Sequence, residues 1–188
     1  MSFRLPQFLP LLLLLAVLSA GQRAGAFVFD SFGDGFWKII NRSNGNSLIV
    51  SATGASQSGG TATEIEKQWQ VLYNLESDTF RLRNRDTWHC IEALGAATAV
   101  GTAAVEGPNY SAAAHQRWKL VEVGGGDYRI ANALSNLALQ TDAGSPANVT
   151  MAAASTDTKQ YWRLEYQTHY PKKGSAGYVD DWSRYGAS

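Results

Sequence analysis

The sequence repeats itself three times, and this constrains the fold more than any other feature. Trp37-Lys38-Ile39-Ile40-Asn41 aligns with Phe80-Arg81-Leu82-Arg83-Asn84 and with Tyr128-Arg129-Ile130-Ala131-Asn132. Each reads aromatic, basic, aliphatic, variable, asparagine, and the asparagines stand 43 and 48 residues apart. Six residues after each Asn, a second set aligns: Ser47-Leu48-Ile49-Val50, Cys90-Ile91-Glu92-Ala93 and Ala138-Leu139-Gln140-Thr141. A third set is Lys67-Gln68-Trp69, Gln116-Arg117-Trp118 and Gln160-Tyr161-Trp162. Each Trp opens a further alternation, as in Trp69-Gln70-Val71-Leu72, Trp118-Lys119-Leu120-Val121 and Trp162-Arg163-Leu164-Glu165-Tyr166.

All these segments alternate with period two, the mark of strands. Turn-formers such as Ser43-Asn44-Gly45, Glu76-Ser77-Asp78 and Gly124-Gly125-Gly126-Asp127 separate them. No stretch of helical period interrupts them. The unit that opens at Trp37 lacks a Trp-led strand of its own before it, so the strand led by Trp162 is expected to return and close against the first. Three units of four strands then form a closed all-β array of twelve, which leaves few open edges. The three repeated Trp are expected in the core, and the repeated Asn beside turns, bonding backbone groups. The recurring Gln can brace a loop or face a ligand. Trp88-His89-Cys90-Ile91 reads as an apolar strand, with the single cysteine, Cys90, as a small buried hydrophobe.

The N-terminus is of another kind. Arg4, the apolar run Leu9 to Leu18 and Ala24-Gly25-Ala26 read as a secretory leader over residues 1–26. Cleavage is expected before Phe27, with a cut after Ala20 as the alternative. The apolar run is interrupted by Pro10 and falls short of the roughly 20 residues that span a bilayer. The organisation expected is a leader at 1–26, an extension at 27–35, the repeat domain at 36–166 and a linker, or the opening of a further domain, at 167–188. One cysteine excludes an internal disulfide framework, so an exported chain must rest on its core. Lys and Arg number 16 against 16 Asp and Glu. With no basic patch, neither nucleic acid nor a membrane is an expected partner.

The repeats resemble the ricin-type β-trefoil lectin family, whose mark is three units each ending in Q-x-W. Gln116-Arg117-Trp118 and Gln160-Tyr161-Trp162 match fully. The first unit departs, with Lys67 in the place of the Gln. The resemblance implies a β-trefoil that binds carbohydrate in shallow sites, up to one per repeat; with the leader and the lack of catalytic or metal-binding motifs, a secreted, non-catalytic module without cofactor or metal is expected. A carboxylate accepting from two hydroxyls, an amide and a ring against the sugar's C–H face form the usual chemistry.

The family's key Asp maps onto Ile49, Glu92 and Gln140. The first site is therefore expected to be dead. The second is the best candidate, with Glu92 as hydroxyl acceptor, Tyr110 as ring platform, and Asn109, His115 and Gln116 as polar supports. Gln140, Asp142, Lys159 and Gln160 make a weaker third.

No catalytic constellation is legible. The histidines His89, His115 and His169 lack metal-ligand spacing, and no nucleophile elbow occurs. Pro171-Lys172-Lys173-Gly174 reads as a linker, and the residues after it resemble the start of a glycosidase barrel. A truncated glycoside hydrolase is thus one alternative, with a glycosidase domain beyond the C-terminus as partner. A trefoil that contacts protein instead of sugar is the other. Sequons occur at Asn41, Asn109 and Asn148.

Overall fold

A computed structural model of the chain describes residues 35–51, 56–59, 62–110, 112–142, 144 and 147–169. The expected leader, nearly all of the N-terminal extension and the tail after His169 lie outside the described residues. So does Ser111 of the Asn109 sequon.

The strands run β1 (Gly35–Asn41), β2 (Leu48–Val50), β3 (Ser56–Ser58), β4 (Gln68–Asn74), β5 (Thr79–Asn84), β6 (Cys90–Ala93), β7 (Ala104–Gly107), β8 (Trp118–Gly124), β9 (Asp127–Asn132), β10 (Ala138–Thr141), β11 (Ala147–Ala152) and β12 (Tyr161–His169). The fold is a β-trefoil. β1 pairs with β4 and β12, β5 with β4 and β8, and β9 with β8 and β12, all antiparallel. Six strands therefore close a barrel, and the last strand does return to the first. Closure takes six strands, not the twelve expected. The other six form the hairpins β2–β3, β6–β7 and β10–β11. These hairpins follow the Asn ends of β1, β5 and β9, so all three stand at one end of the barrel.

The strand pairing reproduces the repeat. Asn41 lies opposite Trp162, Asn84 opposite Trp69 and Asn132 opposite Trp118. Inside, Ile39 faces Leu164, Leu82 faces Val71, and Ile130 faces Leu120. The three Trp are fully buried. A buried indole needs a partner for its N–H. Trp69 donates to the carbonyl of Leu48 at 3.0 Å, Trp118 to that of Ile91 at 3.1 Å and Trp162 to that of Leu139 at 3.1 Å. Each ring thus fastens a barrel strand to a cap hairpin.

The asparagines are equally regular. Asn41, Asn84 and Asn132 are buried. Their Nδ2 groups donate to the carbonyls of Lys159, Glu66 and His115 at 2.9, 2.8 and 2.9 Å. Their Oδ1 atoms accept from the N–H of Ser43, Asp86 and Leu134 at 3.0, 2.9 and 3.1 Å. The turn that follows needs a left-handed residue four places on. Gly45 (φ 70°), Trp88 (φ 62°) and Asn136 (φ 58°) supply it. This corrects one expectation: Trp88 and His89 belong to the turn, and the strand begins at Cys90. A left-handed tryptophan is strained. Packing holds it, with Phe36 at 6.2 Å between ring centroids and the Arg83 guanidinium 4.9 Å from the ring.

Cys90 is fully buried. Burial pushes its thiol up to about 12, against the opposing pull of Arg81 and Arg83. The neutral thiol is the form the fold favours, so its contribution to stability is complete below the unfolded thiol's range and is lost as pH rises toward about 12.

Two outcomes are expected. Native protein at pH 8 leaves Cys90 unalkylated by iodoacetamide, and denatured protein is labelled fully, as intact mass will report. Asn132→Asp replaces a donor facing a carbonyl with a buried carboxylate. It should cost about 3 kcal/mol in urea unfolding at pH 7. It should cost less at pH 4, where a protonated carboxyl can donate again, because burial raises that carboxyl's folded pKa.

Candidate functional site

The strand period sets Glu92 apart from its neighbours on β6. Ile91 and Ala93 point into the core and are fully buried, while the Glu92 side chain keeps 16% of its exposure on the outer face. Glu92 pairs with Val105 on β7, and Gly107 lies two residues further along the same face. A Cβ on Gly107 would stand 2.3 Å from Glu92 Oε2. The long arm of the glutamate thus lies over a place where β7 has no side chain.

The backbone at Pro108 and Tyr110 is tied to this arm by Gln116, which is fully buried. Its Nε2 donates to Glu92 Oε2 and to the carbonyl of Pro108, both at 2.6 Å. Its Oε1 accepts from the N–H of Tyr110 at 3.0 Å. One amide therefore fixes both the carboxylate and the backbone that presents the tyrosine. His115 Nε2 lies 3.3 Å from the same Oε2, with 24% of its side chain exposed. Glu92 Oε1 takes no hydrogen bond from a described residue. The Tyr110 side of the loop opens to solvent, with the residue 58% exposed. A site with a fixed carboxylate, one open acceptor oxygen, an imidazole and an exposed ring can accept hydroxyl hydrogens beside an apolar surface.

The structure sorts the residues expected here. Glu92, His115 and Gln116 converge directly, and Tyr110 joins them through its backbone. Gln116 is a brace, since its amide is spent within the chain. Asn109 turns inward, its Oδ1 accepting from Arg81 and from the Cys90 thiol at 3.3 Å. It anchors the loop to β5 and the hairpin.

The third repeat has the same frame with different chemistry. Gln160 is buried, donates to Gln140 Oε1 at 2.9 Å and to the carbonyl of Ala153 at 2.8 Å, and accepts from the N–H of Ser155 at 2.9 Å. Two neutral amides answer each other where the second repeat holds a carboxylate. Asp142 is not brought to them. Its Oδ1 accepts from the N–H of Gly144 at 2.9 Å and of Asn148 at 3.2 Å, shaping the hairpin turn. Lys159 bonds through its backbone, its N–H donating to Asp157 and its carbonyl accepting from Asn41. In the first repeat Ile49 is buried, and Lys67 reaches Glu64 at 3.2 Å. Hydrogen bonding to Lys38, then to Lys67, holds the Glu64 carboxyl below its ordinary range.

Sequence reasoning did not single out Gly107 or Arg81. Period two does place Gly107 on Glu92's face, so its role was within reach once the hairpin register was known. Arg81 was matched only as a repeat marker. Among the described residues no three His, Cys, Asp or Glu side chains group as a metal site, and no helix is long and apolar enough to cross a membrane.

A family model described as ricin-type beta-trefoil lectin domain-like matches residues 65–154 and 114–171. No curated protein matches the sequence. A designed three-fold symmetric protein, ThreeFoil, is similar at TM-score 0.64 and 25% identity, over 70% of this chain and 99% of that one. An exo-beta-1,3-galactanase from Clostridium thermocellum is similar at TM-score 0.65 and 14% identity, over 71% of this chain and 30% of that one. The Polyporus squamosus lectin bound to Neu5Aca2-6Galb1-4GlcNAc is similar at TM-score 0.60 and 18% identity, over 70% of this chain and 49% of that one. The chain thus spans less than a third of the galactanase and about half of the lectin.

Gly107→Ala should displace the Glu92 carboxylate and leave the barrel intact. The bond from Gln116 is lost, at about 1–2 kcal/mol. The Gln116 side-chain amide protons, slow to exchange in the parent, should exchange rapidly in the variant when followed by NMR.

Proposed function

The chain belongs to the ricin-type beta-trefoil lectin domain-like family, and from that membership we propose that it is a secreted, non-catalytic carbohydrate-binding module whose working site is in the second repeat. The observation that supports this most is the braced carboxylate: Gln116 holds Glu92 Oε2 at 2.6 Å while Oε1 remains open beside the loop of Tyr110. Glu92 would accept from two neighbouring sugar hydroxyls. His115 would donate to or accept from a third, and Tyr110 would cover the C–H face of the ring. Gln116 and Asn109 position these groups without touching the sugar. The similar lectin is described with a sialylated glycan bound, in keeping with a glycan ligand here.

A shallow site of the kind the family implies would bind with modest affinity. A monosaccharide of about a dozen non-hydrogen atoms, at about 0.3 kcal/mol each, gains about 4 kcal/mol, a millimolar dissociation constant. Useful avidity then needs several copies or tethering to a surface or an enzyme. A second reading has support in the galactanase, of which the trefoil accounts for 30%. In that reading the module delivers a glycoside hydrolase to its polymer.

A glycan array probed with multivalent mature chain tests the proposal. Binding to at least one glycan class is expected, with Glu92→Ala weakening it at least tenfold and Gln140→Ala leaving it nearly unchanged. Silence across the array, with millimolar sugars also inert in solution, would favour the protein-contact alternative. Binding that survives Glu92→Ala would move the site elsewhere.

A further inference from the structure

The three Asn-x-Ser/Thr triplets fall in very different surroundings. Asn41 is buried, and its Nδ2 is spent on the carbonyl of Lys159 at 2.9 Å. A sugar on that nitrogen would remove one of the three repeated turn supports and would have no room. Asn109 is half-buried, with its Oδ1 held by Arg81 and Cys90. Asn148 is exposed on β11. Its backbone is secured, the N–H donating to Asp142 Oδ1 at 3.2 Å and the carbonyl accepting from the Asp142 N–H at 3.0 Å. Its side-chain amide bonds no described residue. Thr150, the hydroxyl residue of the triplet, stands two places on, on the same face of the strand.

We propose that Asn148 is a site of N-glycosylation. The reaction takes its sugar from a polyprenyl-diphosphate-linked oligosaccharide. The Asn148 amide nitrogen forms a bond to the anomeric carbon, the bond from that carbon to the diphosphate oxygen breaks, and the polyprenyl diphosphate leaves with the electron pair. One amide proton is released. No oxidant or reductant is needed.

The position has a consequence for the ligand face. Gln140 pairs directly with Thr150, and Asp142 stands opposite Asn148, so these side chains share one face of the β10–β11 hairpin. A glycan on Asn148 would rise from the face that carries the Gln140–Gln160 pair. Glu92 lies on a different hairpin and would stay open. The modification would thus reinforce the difference between the second and third repeats.

The proposal rests on the secretion reading and not on sugar binding. Its test is expression of the full chain in a eukaryotic secretory cell, with glycopeptide mapping of the secreted protein before and after peptide:N-glycosidase. The expected result is one glycan, on the peptide holding Asn148, with Asn41 bare. Asn148→Gln and Thr150→Ala should each remove it, and the Asn148 variant should still fold and be secreted. A secreted chain unmodified at Asn148 overturns the proposal alone. A chain that stays inside the cell without glycan overturns it together with the secretion reading. Array binding is read separately on unglycosylated protein.

Discussion

The fold depends on a pairing made three times, a buried asparagine opposite a buried tryptophan. In each repeat the indole N–H crosses to the cap hairpin, at 3.0 to 3.1 Å. The asparagine amide crosses to the loop that precedes the tryptophan, at 2.8 to 2.9 Å. Three loosely connected pieces, barrel strand, hairpin and loop, are thereby fixed to one another at the same end of the barrel. The geometry demands an amide. An aspartate would set oxygen against oxygen in a place closed to water, and an alanine would strand a carbonyl and several turn N–H groups. A chain of this size without disulfides can hold a closed barrel this way, because each support satisfies buried polar groups while the rings fill the centre.

The candidate site is a by-product of the same frame. Gln116 sits two residues before Trp118, and Gln160 two before Trp162, so each glutamine is delivered to its loop by a tryptophan already locked in the core. Its carboxamide then has three duties, two as donor and one as acceptor, and they are nearly identical in the two repeats. Only the group that receives the second donor differs. In the second repeat it is a carboxylate with an oxygen left over. In the third it is another amide. The same frame therefore carries different local chemistry in the two repeats.

This explains why the fold was more legible than the site. The repeat markers are core residues and turn supports, and their spacing is set by strand and turn geometry, which period two and the turn-formers display openly. Trp88 was misread as part of a strand because an aromatic residue is a poor signal for a left-handed turn position. Its equivalents, Gly45 and Asn136, gave the better one. Asn109 and Gln116 were expected as polar supports beside Glu92, but their sequence positions do not say which way their side chains turn. A polar side chain beside a loop can turn in or out; Arg81, on a strand some thirty residues earlier, draws Asn109 inward, and Glu92 with the Pro108 carbonyl holds Gln116. Asp142 was close in sequence to Gln140 yet was claimed by its own turn.

The unequal repeats also bear on how the module would act. Ile49, Glu92 and Gln140 lie on cap hairpins, outside the six strands that close the barrel. At Ile49 the equivalent position is apolar and buried. A trefoil with three equal sites would gain avidity within a single chain. One that bound through a single braced carboxylate would not, and a contact that weak would become useful only through a partner copy, a repetitive ligand or a tether. Unequal repeats would thus move the burden of affinity from the chain to its presentation.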